Sequence, residues 1–306
     1  MIELFNLPNY SVDTSYFNHI LHDKVVNTVE NKIANFVGAK YGVGVNSATN
    51  ALFLSILNKG VTINLPTMIP PVVCNAIVTS GNKISFNDNT EWVGDSYTFC
   101  EFGDYKIIDS AQKLEKNQFT NECNDNDLMI FSFYPTKPLG GVDGSIIVSN
   151  DKSKIDKIRS LAYNGMSQEK NSWDRVQEQP GYKFYLPAIN ASIINTNFEK
   201  YENKLYKLKV VKEYYNYKFN LNNTSNHLYR IKVKNRNKLI EVFNNNKISH
   251  GIHYNCQHKT ACFSQDVSLK NSEVESEETI SIPFHEELKL KDQKLIISLV
   301  ENYVKI

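Results

Sequence analysis

Lys137 stands in an unusual setting for a lysine. It follows the strand-like run of residues 127–134 and precedes Gly140 and Gly141, and its neighbours are aromatic, apolar, proline or glycine. Lysines are mostly exposed in proteins, whereas partial burial lowers the pKa of the amine and favours its neutral, nucleophilic form. The setting therefore predicts a reactive amine where a strand runs into a loop.

A carboxylate, Asp109, closes the apolar run of residues 105–109 upstream of this lysine. A solvated strand end is the commoner interpretation of such a residue. A lysine and a carboxylate at two strand ends are, however, the pair that pyridoxal 5'-phosphate (PLP) chemistry requires. Lys137 would form the Schiff base, and Asp109 would keep the pyridine nitrogen protonated. Gln112 follows shortly after and could hydrogen-bond the phenolic oxygen of the cofactor.

A predicted helix start could supply the phosphate site of that cofactor. Ser47, Ala48 and Thr49 lie at this start, directly after a strand-like run. Free N–H groups at a helix N-terminus bind phosphate, although the pattern alone is more often an ordinary N-cap. Ser132, just before Lys137, would add a second hydroxyl to the site.

The elements that position these residues alternate between strands and helices. Helical spacing covers residues 25–37, and a helix over residues 70–81 has proline at its start and glycine at its end. Short β-like runs lie between such helices. The alternation predicts an α/β fold with a mostly parallel sheet flanked by helices, and chemistry at the carboxyl ends of the strands.

We place a domain boundary near residue 200, within a long predicted helix, and the pattern changes beyond Asn226. Residues 1–200 would form a large PLP-binding domain. A strand, a helix, a strand and a helix follow beyond Asn226, which predicts that residues 201–306 form a small C-terminal α+β domain. A long helix over residues 188–218, continuous or broken, would connect the two parts.

Composition excludes several functional classes. The formal net charge is +1, so no overall field favours nucleic acid or an anionic membrane. No apolar run approaches the ~20 residues of a membrane span, no signal peptide is evident, and scattered cysteines without a CxxC motif indicate reduced thiols. We therefore predict a cytoplasmic protein. His253, His258 and His285 lack the regular spacing of a metal site, so we assign them to substrate contact or packing.

Four motifs recur here in the order of a known family: VNSATNAL (45–52), IIDSAQ (107–112), SFYPTKPLGG (132–141) and GYKFYLPAINA (181–191). Together they resemble the DegT/DnrJ/EryC1/StrS sugar aminotransferases, from about residue 25 to the C-terminus. The resemblance implies the type I fold of aspartate aminotransferase. It also implies roles for the matching positions. Lys137 would be the lysine linked to the cofactor, Asp109 would pair with the pyridine nitrogen, and Gln112 would contact the phenolic oxygen. The phosphate would be bound by Ala48, Thr49 and Ser132.

The resemblance further implies a two-stage transamination. L-glutamate would convert PLP to pyridoxamine 5'-phosphate, which would then aminate a keto group of a nucleotide-linked deoxysugar. Lys137 would move the proton in both halves. The motifs look closer to relatives that act at C4 than at C3. Family members pair as homodimers with shared active sites, so we expect the same here.

The departures from the family pattern matter as well. Pro70 stands where the family usually has an aromatic residue stacked on the cofactor. Lys183 and Tyr185 replace an asparagine that reaches the phosphate of the neighbouring subunit, so Lys183 would be a charged substitute. The stretch between residues 88 and 107 is shorter than in relatives. Because of these departures, one alternative is a protein that keeps the PLP fold but serves in binding or regulation and does not catalyse a reaction. A PLP-dependent sugar dehydratase is a further alternative, although such relatives carry histidine in place of the lysine.

Overall fold

The computed structural model describes residues 1–8, 10–12, 17–167 and 172–304. Its strands are β1 (Tyr41–Val45), β2 (Thr62–Pro66), β3 (Lys83–Asn87), β4 (Tyr97–Phe102), β5 (Tyr105–Asp109), β6 (Leu128–Ser132), β7 (Ser145–Ser149), β8 (Tyr229–Lys232) and β9 (Thr279–Ile282). Its helices are α1 (Lys24–Val37), α2 (Ala48–Ser55), α3 (Pro71–Thr79), α4 (Gln118–Glu122), α5 (Lys152–Ala162), α6 (Ala188–Phe198), α7 (Tyr201–Phe219), α8 (Arg236–Asn245), α9 (Lys270–Glu278) and α10 (Leu290–Val300).

The central sheet has the strand order β1–β7–β6–β5–β4. β5 and β6 are parallel, and β7 runs antiparallel to both β6 and β1. β1, β5 and β6 therefore point in one direction, and β2 and β3 form a separate parallel pair. The sheet is mixed, because β7 and β4 run against the predicted parallel direction. β7 follows β6, and β4 precedes β5, through connections without a helix, and such connections join antiparallel strands.

β4 was not predicted, and it forms a hairpin with β5. We call residues 92–106 the β4 hairpin; they comprise a turn, β4 and the start of β5. Phe102 pairs with Tyr105 across a two-residue turn. Gly103 opens that turn with a φ of +43°, a left-handed conformation that such tight turns require and glycine adopts easily. The short stretch between residues 88 and 107 therefore contains β4, and the chain reverses after β4 to enter β5.

Helices cover both faces of the central sheet. Alternate strand residues face two different cores: Ile107, Ile130 and Ile147 pack with α2, α3 and α5 on one face, whereas Ile108, Met129 and Val148 pack with α1 and α6 on the other. Burial on both faces explains the continuous apolar runs of β6 and β7.

A third core lies in the C-terminal part of the chain. It joins α7, α8 and α10 to β8 and β9, and Ile2 packs against it from the N-terminus. The predicted connecting helix is broken, since α6 ends at Phe198 and α7 begins at Tyr201. The domain boundary at residue 200 stays a prediction.

The described residues also bear on two broader expectations. Within those ranges, no helix combines the length and apolarity needed to cross a bilayer. All five cysteines are free thiols, and Cys74 and Cys256 are buried.

Candidate active site

Three predicted site elements end at one edge of the central sheet. Asp109 is the last residue of β5, Ser132 is the last residue of β6, and these strands are parallel. β1 runs in the same direction and leads into α2. Because the carboxyl ends of strands with one direction lie at one edge, the structure brings these residues to the edge where ligands bind in such sheets.

Lys137 lies in the loop from β6 to β7, which folds back tightly. Its backbone N–H donates to the carbonyl of Tyr134 at 2.9 Å, and Gly141 N–H donates to the carbonyl of Phe133 at 2.8 Å. A side chain at position 140 would collide with the carbonyl of Pro135, which explains that glycine. Burial lowers the pKa of the Lys137 amine to about 8, and the nearby charge of Asp109 opposes this shift. The loop therefore holds a desolvated amine close to a carboxylate.

Asp109 is a buried carboxyl group, only 5% exposed. Its Oδ1 accepts a hydrogen bond from Ala111 N–H at 2.9 Å, and its Oδ2 accepts one from the Tyr97 hydroxyl at 2.9 Å. The pKa of Asp109 is raised overall because burial outweighs these two donors and Lys137, which lower it. The donors stabilise the ionised form that a pyridinium partner needs.

Gln112 is buried beside the β4 hairpin. Its side-chain oxygen accepts a hydrogen bond from Gly94 N–H at 2.9 Å. Only its amide nitrogen can donate a hydrogen bond to a phenolic oxygen. The predicted role of Gln112 therefore depends on that nitrogen, with the oxygen already engaged by the hairpin.

The predicted phosphate residues form a helix start. Ser47 is the N-cap of α2, and its hydroxyl accepts a hydrogen bond from Asn50 N–H at 3.2 Å. Ala48 and Thr49 open the helix, where backbone N–H groups have no partner within the helix. The Ser132 hydroxyl is buried and accepts from Tyr134 N–H at 3.3 Å. The Ser47 cap is thus present, and the first-turn N–H groups provide donors suited to phosphate.

Lys183 and Pro70 lie at other positions around the sheet. Lys183 is exposed and pairs through its backbone with Tyr163. The pKa of His22 is lowered chiefly by burial, and Lys183 adds a smaller effect. Its predicted phosphate contact stays a prediction. Pro70 immediately precedes α3 and is half-buried, so no aromatic ring is available at that position.

Sequence reasoning missed the aromatic cluster beside Asp109. Trp92 and Tyr97 belong to the β4 hairpin, and Trp92 stacks almost parallel to Tyr254 with ring centroids 6.0 Å apart. The available sequence signals were the alternation of aromatic and other residues in the first part of β4 and the turn glycine after it, Gly103. The pairing of Tyr97 with Asp109 is a tertiary contact that neither signal reveals.

His227 was also missed. It lines a small cavity together with Lys137 and Phe5, and its ring stacks on Phe5 at 5.5 Å. Burial and the charge of Lys137 hold its pKa well below the ordinary value, so the imidazole is neutral. His227 lies before β8, whereas Asp109 ends β5 and Lys137 follows β6, so its position along the chain does not indicate a place in this site.

The other histidines make separate contacts. His253 Nδ1 lies 2.8 Å from the Ser281 hydroxyl. His258 lies between the Thr67 hydroxyl at 2.7 Å and a Glu273 carboxylate oxygen at 3.2 Å. His285 lines the cavity beside Lys137. Over the ranges that the structure describes, no three His, Cys, Asp or Glu side chains gather as metal ligands would.

The fold defines the class of protein. The chain has the type I fold of PLP-dependent transferases, as predicted. The aminotransferase TlmJ from Streptoalloteichus hindustanus superposes with a TM-score of 0.82 at 18% identity, covering 99% of this chain and 98% of that chain. Helicobacter pylori PseC, an aminotransferase involved in pseudoaminic acid biosynthesis, superposes with a TM-score of 0.78 at 18% identity, covering 98% and 99%.

The chain belongs to the DegT/DnrJ/EryC1/StrS aminotransferase family, whose sequence profile matches residues 13–91 and 107–301. This confirms the family prediction. A relative from Campylobacter jejuni, named UDP-4-amino-4,6-dideoxy-N-acetyl-beta-L-altrosamine transaminase, is 25% identical and covers 89% of this chain and 88% of its own length. The unmatched residues between the two profile segments are those of the β4 hairpin.

Proposed function

We propose that the chain is a PLP-dependent aminotransferase that transfers an amino group from L-glutamate to a keto group of a nucleotide-linked deoxysugar. The observation that carries the proposal is the pair of Lys137 and Asp109 at one sheet edge, a desolvated amine beside a buried carboxylate. Family membership supports the reaction class.

The groups present fit PLP by their chemistry. Bound PLP would supply an electron-accepting ring that stabilises negative charge on the carbon next to the transferred amine. Asp109 would hold a proton on the pyridine nitrogen, and the start of α2 with Ser47, Ala48 and Thr49 would bind the phosphate. Ser132 would add a hydroxyl, and Gln112 would donate through its amide nitrogen.

Lys137 would bind the cofactor and carry the proton during transfer. At pH 7, a pKa of about 8 leaves about one amine in ten neutral, against about one in three thousand at the ordinary lysine value. Burial thus prepares the base that proton transfer needs. The same amine, once protonated, can return the proton to the reacting carbon.

The sugar substrate is proposed from the relatives. The Campylobacter jejuni protein is named for a UDP-linked 4-amino-dideoxy sugar, which supports a UDP-sugar and amination at C4 over C3. Because 25% identity leaves room for a changed sugar pocket, a UDP-linked 4-keto sugar is the first substrate to test.

We also propose a homodimer that completes each site. Lys183 is exposed, so its ammonium is free to approach a partner subunit. Its neighbour Phe184 accepts a backbone hydrogen bond from Asn46 at 2.7 Å, just before the Ser47 cap. A lysine on this segment would suit a phosphate bound across a dimer interface.

Isotope transfer tests the proposed reaction. The PLP-loaded protein is incubated with ¹⁵N-labelled L-glutamate and a UDP-linked 4-keto-6-deoxy sugar, and the products are analysed by mass spectrometry. We expect ¹⁵N in an amino sugar. A sugar that loses a hydroxyl without gaining nitrogen would instead indicate a dehydratase. PLP binding without any sugar product across a keto-sugar panel would favour a binding or regulatory protein.

A further inference from the structure

The β4 hairpin contacts two residues assigned to the cofactor, although the family profile does not match it. Gly94 N–H donates to the side chain of Gln112, and the Tyr97 hydroxyl donates to Asp109. Gln112 and Asp109 themselves lie within the matched region. A segment outside the matched parts of the chain therefore contacts the region around the proposed pyridine nitrogen.

The direction of β4 places Tyr97 at the functional edge. Tyr97 is the first residue of β4, and its Cα lies opposite that of Asp109, the last residue of β5. Only an antiparallel strand can begin where its neighbour ends. Directly opposed residues present their side chains on the same face, so the tyrosine meets the carboxylate because of the hairpin reversal.

Neighbouring groups fix the tyrosine ring. Tyr97 is 8% exposed and lies 4.7 Å from the ring of Trp92, which stacks on Tyr254. The turn before β4 is fixed too, since the carbonyl of Gly94 accepts a hydrogen bond from the Ser225 hydroxyl at 2.8 Å. The hydroxyl of Tyr97 is therefore held towards Asp109 by packing on the hairpin and on the C-terminal part of the chain.

The hydroxyl stabilises the ionised carboxylate. Burial raises the pKa of Asp109, while the Ala111 N–H, the Tyr97 hydroxyl and the Lys137 charge lower it. Lys137, Tyr97 and Tyr254 are the titratable groups that face Asp109. Burial and Asp109 raise the pKa of Tyr97 well above its ordinary value, so its hydroxyl stays a donor over the working pH range.

We propose that Tyr97 is a positioning residue of this chain, which holds Asp109 ionised and oriented towards a pyridine nitrogen. The inference rests on the proposed PLP site. It assigns a role to the β4 hairpin, which lies between the two segments that the family profile matches.

The test measures PLP binding by tryptophan fluorescence. The chain has two tryptophans; Trp173 is 80% exposed, whereas Trp92 packs on Tyr97. In a Trp173→Phe background, emission comes from Trp92, and bound PLP quenches it by energy transfer. Tyr97→Phe is compared with Tyr105→Phe, a matched change on the same hairpin that keeps the ring contacts of Tyr105 with Phe102 and Lys154.

We expect Tyr97→Phe to weaken PLP binding about tenfold, as for loss of one hydrogen bond to a charged group. Loss of this donor also raises the pKa of Asp109. On acidification, the pH at which half of the PLP binding is lost should therefore be about one unit higher in Tyr97→Phe than in the parent. Tyr105→Phe should match the parent in both measurements. In an Asp109→Asn background, Tyr97→Phe should have little further effect, since the carboxylate that it orients is absent.

The controls separate failure of this inference from failure of the proposed function. If the parent does not bind PLP, the proposed function is wrong and Tyr97 has no cofactor to serve. If the parent and Tyr105→Phe bind PLP and Tyr97→Phe binds it equally at every pH, the inference is overturned. An equal effect of Tyr97→Phe in the Asp109→Asn background also contradicts it. Thermal unfolding checks that each variant is folded.

Discussion

Two segments lie close to Asp109 in the fold, one before it in the sequence and one after it. The β6–β7 loop carries Lys137 and lies within the family profile, whereas the β4 hairpin carries Tyr97 and lies outside it. In the proposed reaction the loop would supply the amine that reacts, whereas the hairpin donates a hydrogen bond to the carboxylate. The proposed reactive group thus lies in a matched part of the chain, whereas the hydroxyl donor to Asp109 lies in an unmatched part.

The largest effect is expected at Lys137, within the loop. Lys137→Ala removes the proton carrier, so amino transfer should fall by roughly 10⁴-fold. The rate of 2-oxoglutarate formation from glutamate measures the first half-reaction. Lys157→Ala, a change at an exposed lysine on α5, is the matched control and should leave the rate unchanged. If Lys137→Ala retained the rate of the parent, Lys137 and its loop would take no part in the reaction.

Asp109 links the two segments and should show the next largest effect. Asp109→Asn keeps the size of the side chain but removes its charge, and the rate should fall roughly 10²-fold, as for loss of one preorganised electrostatic group. The parent rate should also decline on acidification, because the carboxylate whose pKa is raised by burial becomes protonated. The variant should lack that part of the pH–rate profile. If the rate of Asp109→Asn declined at low pH in the same way as that of the parent, the decline would come from a group other than Asp109.

The sequence indicated the loop better than the hairpin for a physical reason. Lys137 is recognisable from its immediate neighbours, because tight turns and burial impose proline, glycine and aromatic residues close in sequence. Tyr97 matters only through its pairing with Asp109, a contact set by the direction of β4. Alternation and Gly103 could indicate a strand and a turn, but they did not identify the partner carboxylate. Gln112 shows the same limit, since its bond to Gly94 depends on the fold.

Burial of Lys137 also has a stability consequence. Its folded-state pKa of about 8 lies below the ordinary 10.5, so the protonated amine destabilises the fold below pH 8 and this penalty disappears as pH rises towards 10.5. Lys137→Met should therefore stabilise the PLP-free protein at pH 7 by roughly 1–3 kcal/mol. Urea unfolding at pH 7 and above pH 10 measures the difference. A gain that persists above pH 10 would point to packing instead of charge.

The smallest effect is expected at Pro70, on neither segment. Pro70→Tyr places an aromatic residue where we expect the stacking residue of the family to align, and the φ of −59° and ψ of 136° suit a residue that precedes a proline. A ring stacked on the cofactor should tighten PLP binding by about 2- to 10-fold. Pro70→Leu controls for loss of proline. Equal affinities for the two variants would mean that another part of the site, such as the hairpin, already covers the ring.

The most direct test of the central claim is the site of covalent attachment of PLP. Protein loaded with PLP is reduced with borohydride, digested and mapped by mass spectrometry. The account predicts one modified residue, Lys137, and loss of that label in Lys137→Ala but not in Lys157→Ala. A label distributed over surface lysines, or an equal label on another lysine in Lys137→Ala, would contradict the assignment of the active site to this sheet edge.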